Sequence, residues 1–225
     1  MNNLTGKTIL GFVKLIIGFG IFLLLPAGTI YFWQAWVYLF VFSTSSALIT
    51  AYLWKYDPKL LKHRINAGPL AEKEKSQKLI MLLAVLAFTC AIVFPALDHR
   101  FSWSAVPTSV VIMGDALVAL GFFITFITMK VNPFASATIE ITTGQRVIST
   151  GPYAIVRHPM YSGALIMVFG TPLALGSWWG LLIFISIIPI LAWRLLDEER
   201  FLSKDLPGYK EYCQKVRYRL VPFVW

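Results

Sequence analysis

The sequence predicts an all-α membrane protein, a polytopic bundle of about six transmembrane segments with a cytosolic helical tail at its C-terminal end. Of the 225 residues, 57% are hydrophobic and 14% are charged, and the mean hydropathy is +0.69. A soluble domain of this length carries more polar surface. Several apolar runs reach the roughly 20 residues that a helix needs to cross a bilayer. Basic residues are concentrated in alternate connections, which is typical of a multi-pass protein.

Four long apolar segments come first in the chain. They are predicted to span residues 9–30, 35–54, 79–97 and 106–129. The first segment is too long for the core of a signal peptide and lacks a small-residue cleavage site, so we expect it to be retained as a helix.

The next apolar stretch, residues 162–196, is predicted to form two helices hinged at "GSWWG", residues 176–180. Irregular backbone at such a hinge is tolerated only at a membrane interface or inside protein. The pair is therefore either a full double crossing or a tight hairpin that barely spans. Gly163, Gly170 and Gly176 are expected to let helices approach closely.

The charge distribution predicts that both termini are cytoplasmic. The expected cytoplasmic side carries these basic residues: Lys55, Lys59, Lys62, Arg64, Lys73, Lys75, Lys78, Lys130, Arg146, Arg157, Arg194, Arg200, Lys204, Lys210, Lys215, Arg217 and Arg219. The opposite side has Arg100, together with an aromatic belt of Trp33, Trp36, Trp103, Trp178 and Trp179. The membrane is expected to be the inner membrane of a bacterium or the endoplasmic reticulum of a eukaryote.

The net charge of +9 is explained by topogenic residues and by attraction to anionic membrane lipids. Nucleic-acid binding is not expected, because no soluble basic domain is present. Cys90 and Cys213 lie in different environments, so a disulfide is not expected. The scattered histidines and cysteines show no metal-binding spacing, and the absence of an internal repeat argues against a transporter.

The stretch "STGPYAIVRHPMYSG", residues 149–163, places polar side chains at the edge of an apolar run. Pro159 suits the first turn of a helix, so His158 is predicted to be the last loop residue before it. A helix start beside Arg157 suits a carboxylate or a phosphate. The alternative is that Arg157 extends to lipid headgroups and His158 caps the helix.

A second polar cluster is "WRLLDEERF", residues 193–201. If the last helix continues through it, Arg194 and Glu198 stand four residues apart on one face. Acidic residues at the C-terminal end of a helix oppose its dipole, a conflict that a cationic ligand would relieve. The alternative is a solvated helix end with ordinary ion pairs. In the tail, Tyr209 and Tyr212 lie three residues apart, and a short helix is predicted there. The alternative is an amphipathic helix that lies in the membrane interface.

Taken together, "GPYAIVRHPMYSG", an apolar hairpin and "DEERFLSKDLPGYKEYCQKVRYRLVPF" resemble the isoprenylcysteine carboxyl methyltransferase family. That family belongs to a wider group of membrane methyltransferases that includes phospholipid N-methyltransferases. The resemblance covers about residues 130–223, so we divide the chain into N-terminal transmembrane helices (1–129) and a cofactor-binding and catalytic region (130–225) that fold as one integrated domain.

The resemblance implies S-adenosyl-L-methionine as methyl donor, in a pocket on the cytosolic side. It implies that four residues line this cofactor: Tyr153, His158, Pro159 and Tyr161. Glu198 and Glu199 occupy the acidic pair of the family, and Arg194 matches an arginine near the reacting methyl.

The chemistry of the donor extends these expectations. The glutamates would accept hydrogen bonds from the ribose or attract the cationic groups. We expect Arg157 to receive the donor carboxylate, and Tyr209 and Tyr212 to complete the cofactor site. Arg194 and Glu198 are the expected catalytic residues: Arg194 would hold a carboxylate acceptor, and Glu198 would deprotonate an amine acceptor.

The acceptor is expected to be lipophilic, with an isoprenoid or acyl chain, and to enter from the bilayer; no obligate protein partner is expected. The favoured reaction is methylation of an isoprenylcysteine-like carboxylate. The alternatives are N-methylation of a lipid amine, an NADPH-dependent reductase similar to sterol reductases, and a non-catalytic scaffold or transporter.

Overall fold

The computed structural model describes residues 2–65, 68–72 and 74–225, and the predicted all-helical bundle is confirmed within them. Lys73, one of the residues used to predict topology, lies outside these ranges. Five helices are long: α1 (Asn2–Ala27), α2 (Trp33–Tyr56), α4 (Lys75–Phe101), α5 (Thr108–Val131) and α7 (Gly180–Asp205). The shorter helices are α3 (Pro58–Ile65), α6 (Pro159–Ala174) and α8 (Tyr209–Lys215), with a 3₁₀ turn at Gly151–Ala154.

The long helices are the predicted membrane segments. Among the described residues, five helices are long and apolar enough to cross a membrane, and α6 is a shorter apolar helix. The protein is therefore an integral multi-pass membrane protein. The predicted bounds of the first four segments differ from the observed ones by two to seven residues, and the observed helix is longer at some ends and shorter at others.

Helices α6 and α7 form the predicted hairpin, but they differ in length. Helix α6 has 16 residues and α7 has 26. At about 1.5 Å per residue, α6 is about 24 Å long, shorter than the roughly 30 Å of a hydrocarbon core. Helix α7 continues well past its apolar part. Arg194 and the acidic cluster that follows it therefore lie at the same end of the bundle as the start of α6.

The hinge of the hairpin is held by a buried carboxylate on α4. Asp98 accepts hydrogen bonds from the Ser104 amide (2.7 Å) and the Ser177 hydroxyl. Gly176 adopts a φ of +71° there, a conformation that favours glycine. Gly176 therefore makes the turn that ends α6, and a Cβ there would also lie 3.3 Å from Nε2 of Gln34 on α2. The five belt tryptophans lie at this same end, all partly exposed: Trp33, Trp36, Trp103, Trp178 and Trp179.

Glycines let α5 and α6 approach until their backbones touch. A Cβ on Gly163 would lie 2.8 Å from the carbonyl oxygen of Gly121, and one on Gly170 would lie 2.7 Å from that of Gly114. Small residues at such positions are the usual means of close helix packing in membranes. The expectation for Gly163 and Gly170 is confirmed, and the contact fixes the start of α6 against the end of α5.

We expect Gly170→Ala to lower the thermal unfolding temperature by several degrees in detergent, because an added methyl group would force the two backbones apart. Overpacking of this kind costs about 1–3 kcal/mol, and about 2–4 °C per kcal/mol is typical for a chain of this size. Gly11→Ala on α1 is the matched control, since a Cβ there meets nothing within 4 Å. Equal unfolding temperatures for the two variants would contradict the packing argument.

Candidate active site

A cavity of about 470 Å³ lies at the end of the bundle where α6 begins and α7 ends. Its walls come from six helices and from the loop between α5 and α6. The lining residues used below are Arg64, Met81, Phe122, Asn132, Ala137, Tyr153, Arg157, His158, Met160, Tyr161, Ala164, Met167, Arg194, Glu198, Tyr209 and Tyr212. Eight of the ten site residues predicted from the sequence line this cavity, and Pro159 and Glu199 do not.

The first polar wall is the segment that leads into α6. Pro159 is the first helical residue and His158 precedes it, as predicted. The C-terminal tail fixes this segment by main-chain hydrogen bonds: the Arg157 amide donates to the Tyr218 carbonyl and the His158 amide to the Arg219 carbonyl, both at 2.9 Å. The tail therefore acts as a strap that holds His158 and, one turn later, Tyr161 at the cavity.

The second polar wall is the last part of α7. Arg194 and Glu198 are four residues apart on one face, as predicted, and both line the cavity. The Tyr161 hydroxyl donates to Oε2 of Glu198 over 2.6 Å. This bond joins the two sequence clusters across 37 residues. The structure thus brings the "RHPMY" segment and the acidic cluster to one place.

Arg194 is buried and has partners that the sequence did not reveal. Its Nη2 lies 2.6 Å from Oε1 of Glu72 and donates to the Ala137 carbonyl over 3.2 Å. Its Nη1 donates to Gln77. Glu72 is 4% exposed, although it belongs to a charged connection that reads as solvent-exposed. Arg194 is therefore held rigidly and its charge is matched by a carboxylate.

Glu199 makes a buried ion cluster behind the cavity wall instead of lining it. Its Oε1 lies 2.8 Å from Nε of Arg157 and 3.3 Å from Nε2 of His158. Its Oε2 accepts from Nε of Arg219 over 2.9 Å. Consecutive helical residues point about 100° apart, so Glu198 faces the cavity while Glu199 faces the strap. Arg157 lines the cavity and has Glu199 as its carboxylate partner.

Three tyrosines form an aromatic side of the cavity. The Tyr212 hydroxyl donates to the Tyr153 carbonyl over 2.7 Å, and Nδ2 of Asn132 donates to the Tyr153 hydroxyl over 2.8 Å. Burial raises the pKa of Tyr153 to about 12, and burial also raises the pKa of Tyr209 and Tyr212 above its ordinary value. All three phenols are therefore neutral near pH 7 and offer hydrogen bonds and ring faces. Helix α8, predicted as a short helix, supplies two of them.

The other end of the cavity is apolar. Met81 from α4, Phe122 from α5 and Met167 from α6 line it. Met167 lies eight residues after Pro159, so the cavity extends about 12 Å along α6 from its polar end. The cavity can therefore accept a polar group at one end and a hydrocarbon group at the other.

Sequence reasoning missed four polar residues that border or support the cavity: Arg64, Glu72, Gln77 and Asn132. Four residues that line the cavity come from the region before residue 130: Arg64, Met81, Phe122 and Thr125. The division of the chain at residue 130 stays a prediction. Among the described residues, no three histidine, cysteine, aspartate or glutamate side chains are grouped to hold a metal ion.

Comparison with known proteins extends this picture. The family model described as "Phospholipid methyltransferase" matches residues 109–207. Protein-S-isoprenylcysteine O-methyltransferase B of Arabidopsis thaliana is 30% identical over 158 residues, which cover 67% of this chain and 75% of that protein. A probable protein-S-isoprenylcysteine O-methyltransferase of Oryza sativa subsp. indica is 30% identical over 157 residues, covering 67% of this chain and 78% of the relative.

A third relative is named as a different kind of enzyme. The Delta(14)-sterol reductase of Mus musculus is 33% identical over 93 residues, which cover 39% of this chain but only 22% of the reductase. The similarity to the two methyltransferases extends over a longer part of both chains. The similarity to these two relatives, together with the matched family model, shows that the chain belongs to a family of membrane methyltransferases, the isoprenylcysteine O-methyltransferase family.

Proposed function

We propose that this protein transfers a methyl group from S-adenosyl-L-methionine to a lipophilic acceptor at the cytosolic face of a membrane. The favoured acceptor is the carboxylate of an isoprenylcysteine-like substrate. One observation carries the proposal: Tyr161 and Glu198, one from each sequence cluster, are hydrogen-bonded at a cavity with a polar and an apolar end. The names of the Arabidopsis and rice relatives support the same reaction.

The residues present fit the donor. S-adenosyl-L-methionine combines cationic groups with a carboxylate and a nucleoside. Glu198 faces the cavity, and within the described residues it has a phenol partner but no cation within ion-pair distance. Its negative charge is therefore available to a cationic ligand. The ring faces of Tyr153, Tyr209 and Tyr212 suit a nucleoside, and about 470 Å³ lies within the usual range for small-molecule sites.

When bound, the donor supplies a methyl group activated by positively charged sulfur. The role of the protein is then to position the two reactants and to exclude water. Tyr161 orients the carboxylate of Glu198, which stabilises positive charge beside it. Arg194, fixed by Glu72, adds a rigid donor on the same helix face. Met81, Phe122 and Met167 bind the hydrocarbon part of the acceptor and keep water out.

The alternative acceptor is a lipid amine, and two observations favour it. The matched family model is that of phospholipid methyltransferases, and Glu72 already matches the charge of Arg194. An amine must lose a proton before it accepts a methyl group, and Glu198 is placed to take it. A carboxylate is already ionised and needs no base. Labelled product separates the two reactions, since an ester releases methanol in mild base and an N-methyl product does not.

The proposed site is cytosolic, with both termini on the same side, in the inner membrane of a bacterium or the endoplasmic reticulum of a eukaryote. The cavity lies at the end of the bundle opposite the belt tryptophans, where the basic connections emerge. The donor then enters from the cytosol and the acceptor from the bilayer. The proposed partners are the acceptor and membrane lipids, with no nucleic acid and no obligate protein partner.

We expect the purified protein to bind S-adenosyl-L-methionine and S-adenosylhomocysteine in calorimetry, in preference to NADPH. Glu198→Gln is expected to lower the affinity for S-adenosyl-L-methionine about tenfold or more, because hydrogen bonds to a charged group are worth about 1.5–3 kcal/mol. Glu211→Gln, which removes an exposed carboxylate from α8, is the matched control and should bind as the unaltered protein does.

Two outcomes would contradict the proposal. Preferential NADPH binding would favour a reductase like the mouse relative. A protein that binds neither cofactor class, and whose function survives Arg194→Ala and Glu198→Ala, would be a scaffold or a transporter.

A further inference from the structure

Arg64 on α3 faces the cavity without a carboxylate partner. Its Nη1 donates to the Ser136 carbonyl over 3.4 Å and to the sulfur of Met160 over 3.3 Å. Within the described ranges, its Nε and Nη2 have no hydrogen-bond partner and no ion pair. Burial lowers the pKa of Arg64, and the neighbouring Tyr161 and Tyr153 oppose that effect. These two tyrosines also mark its position on the polar side of the cavity.

Two other guanidinium groups line this cavity and are buried, and each of them has a carboxylate partner. Arg157 is paired with Glu199 at 2.8 Å and Arg194 with Glu72 at 2.6 Å. Arg64 is only half-buried, so its free donors are accessible at the cavity that it lines. A guanidinium that is held in place and lacks an anion can gain a charge-assisted hydrogen bond from a carboxylate. The remaining donors of Arg64 therefore indicate a place for an anion from outside the chain.

Helix α3 holds Arg64 in a fixed position. The Leu60 amide donates to the side chain of Asp57 over 2.9 Å at the start of the helix. Leu60 and Leu61 are buried in an apolar cluster that includes Met129 and Ala135. A charged side chain on a packed helix keeps its orientation better than one on a free loop. The packing of α3 therefore holds Arg64 at the cavity wall.

We propose that Arg64 is the receptor for a ligand carboxylate in this cavity. The proposal rests on the proposed function and names a residue outside the matched segment 109–207. It assigns to Arg64 the contact that the sequence suggested for Arg157 or Arg194, whose charges Glu199 and Glu72 already match. With Glu198 near Tyr161 as the negative group, the cavity offers opposite charges to a zwitterionic ligand.

Two ligands of the proposed reaction carry such a carboxylate, the methyl donor and a carboxylate acceptor. The test compares Arg64→Met, which keeps the length of the side chain and removes its charge, with Lys62→Met. Lys62 is exposed on the same helix and makes no ion pair among the described residues, so it controls for lost positive charge.

The measurements are the unfolding temperature without ligand and the affinities for S-adenosylhomocysteine and for 5′-methylthioadenosine, which lacks the amino-acid part. The Michaelis constant of a carboxylate acceptor is measured as well. If Arg64 holds the donor, Arg64→Met should lower the affinity for S-adenosylhomocysteine about tenfold to a hundredfold. The affinity for methylthioadenosine should stay unchanged. If it holds the acceptor, the Michaelis constant of the acceptor should rise by a similar factor while donor affinity is kept.

In both cases the unfolding temperature without ligand should stay the same or rise, because an unmatched charge has been removed. A lower unfolding temperature with unchanged ligand affinities would show a structural role and overturn the inference. Unchanged affinities together with an unchanged Michaelis constant would also overturn it. The proposed function is tested separately with the unaltered protein. If that protein binds no S-adenosylhomocysteine, both proposals are overturned.

Discussion

Glu199→Leu is expected to lower the free energy of unfolding by about 3–5 kcal/mol, the usual effect of removing one partner of a buried ion pair. The change would leave Arg157, which is 9% exposed, without its anion. It would also free Arg219 from the carboxylate that ties the tail to α7. We therefore expect the strap at residues 216–225 to loosen, and the affinity for the donor to fall with it, because the strap holds His158 at the cavity.

Chemical denaturation measures the loss of stability, and amide hydrogen exchange of the Arg157 and His158 amides, which donate to the tail, reports the loosened strap. Glu211→Leu is the control, since it removes an exposed carboxylate of α8. If the two variants are equally stable and exchange equally, the ion cluster does not hold the tail.

Glu72→Leu is expected to lower the free energy of unfolding by about 3–5 kcal/mol, because Arg194 would remain buried without an anion. Most of the activity should be lost as well. Glu72 lies in the connection between α3 and α4, far from Arg194 in sequence, yet the two groups are 2.6 Å apart. The additional change Arg194→Met should restore much of the stability, since replacing both partners of a buried pair by apolar groups is often neutral.

That double variant separates stability from catalysis. Its activity should stay low, because Arg194 and not Glu72 borders the cavity. Glu74→Leu, two residues away and exposed, should change neither property. A stable and fully active Glu72→Leu protein would refute the role of Glu72 as the residue that positions Arg194.

The helices were largely predictable because their signal is local. A run of about 20 apolar residues needs no partner to be recognised, since the bilayer imposes its length. The start of α6 was predictable for a similar reason: Pro159 fits the first turn of a helix wherever the chain places it. The hinge at Gly176 was located correctly, but its φ of +71° and the hydrogen bond of the adjacent Ser177 to Asp98 on α4 were not predicted.

The candidate site was predictable in part. The two polar clusters stood out against an apolar background, and the structure joins them through Tyr161 and Glu198. Arg64 and Glu72 did not stand out, because they lie in a charged connection where most side chains are exposed. Glu72 is buried and Arg64 is half-buried, because α3 and the adjoining connection pack against the loop after α5.

By itself, the sequence determined that this chain is a membrane bundle and which two polar clusters contribute to its main polar cavity, because hydrophobic length and exceptional residues are properties of short segments. Only the tertiary structure decided which charges are matched. Glu198 and Glu199 are neighbours, yet Glu198 faces the cavity, while Glu199 contacts Arg157 and His158 before α6 and Arg219 of the strap. Electrostatic energy depends on distance and burial, and both are set by helices that meet from distant parts of the chain.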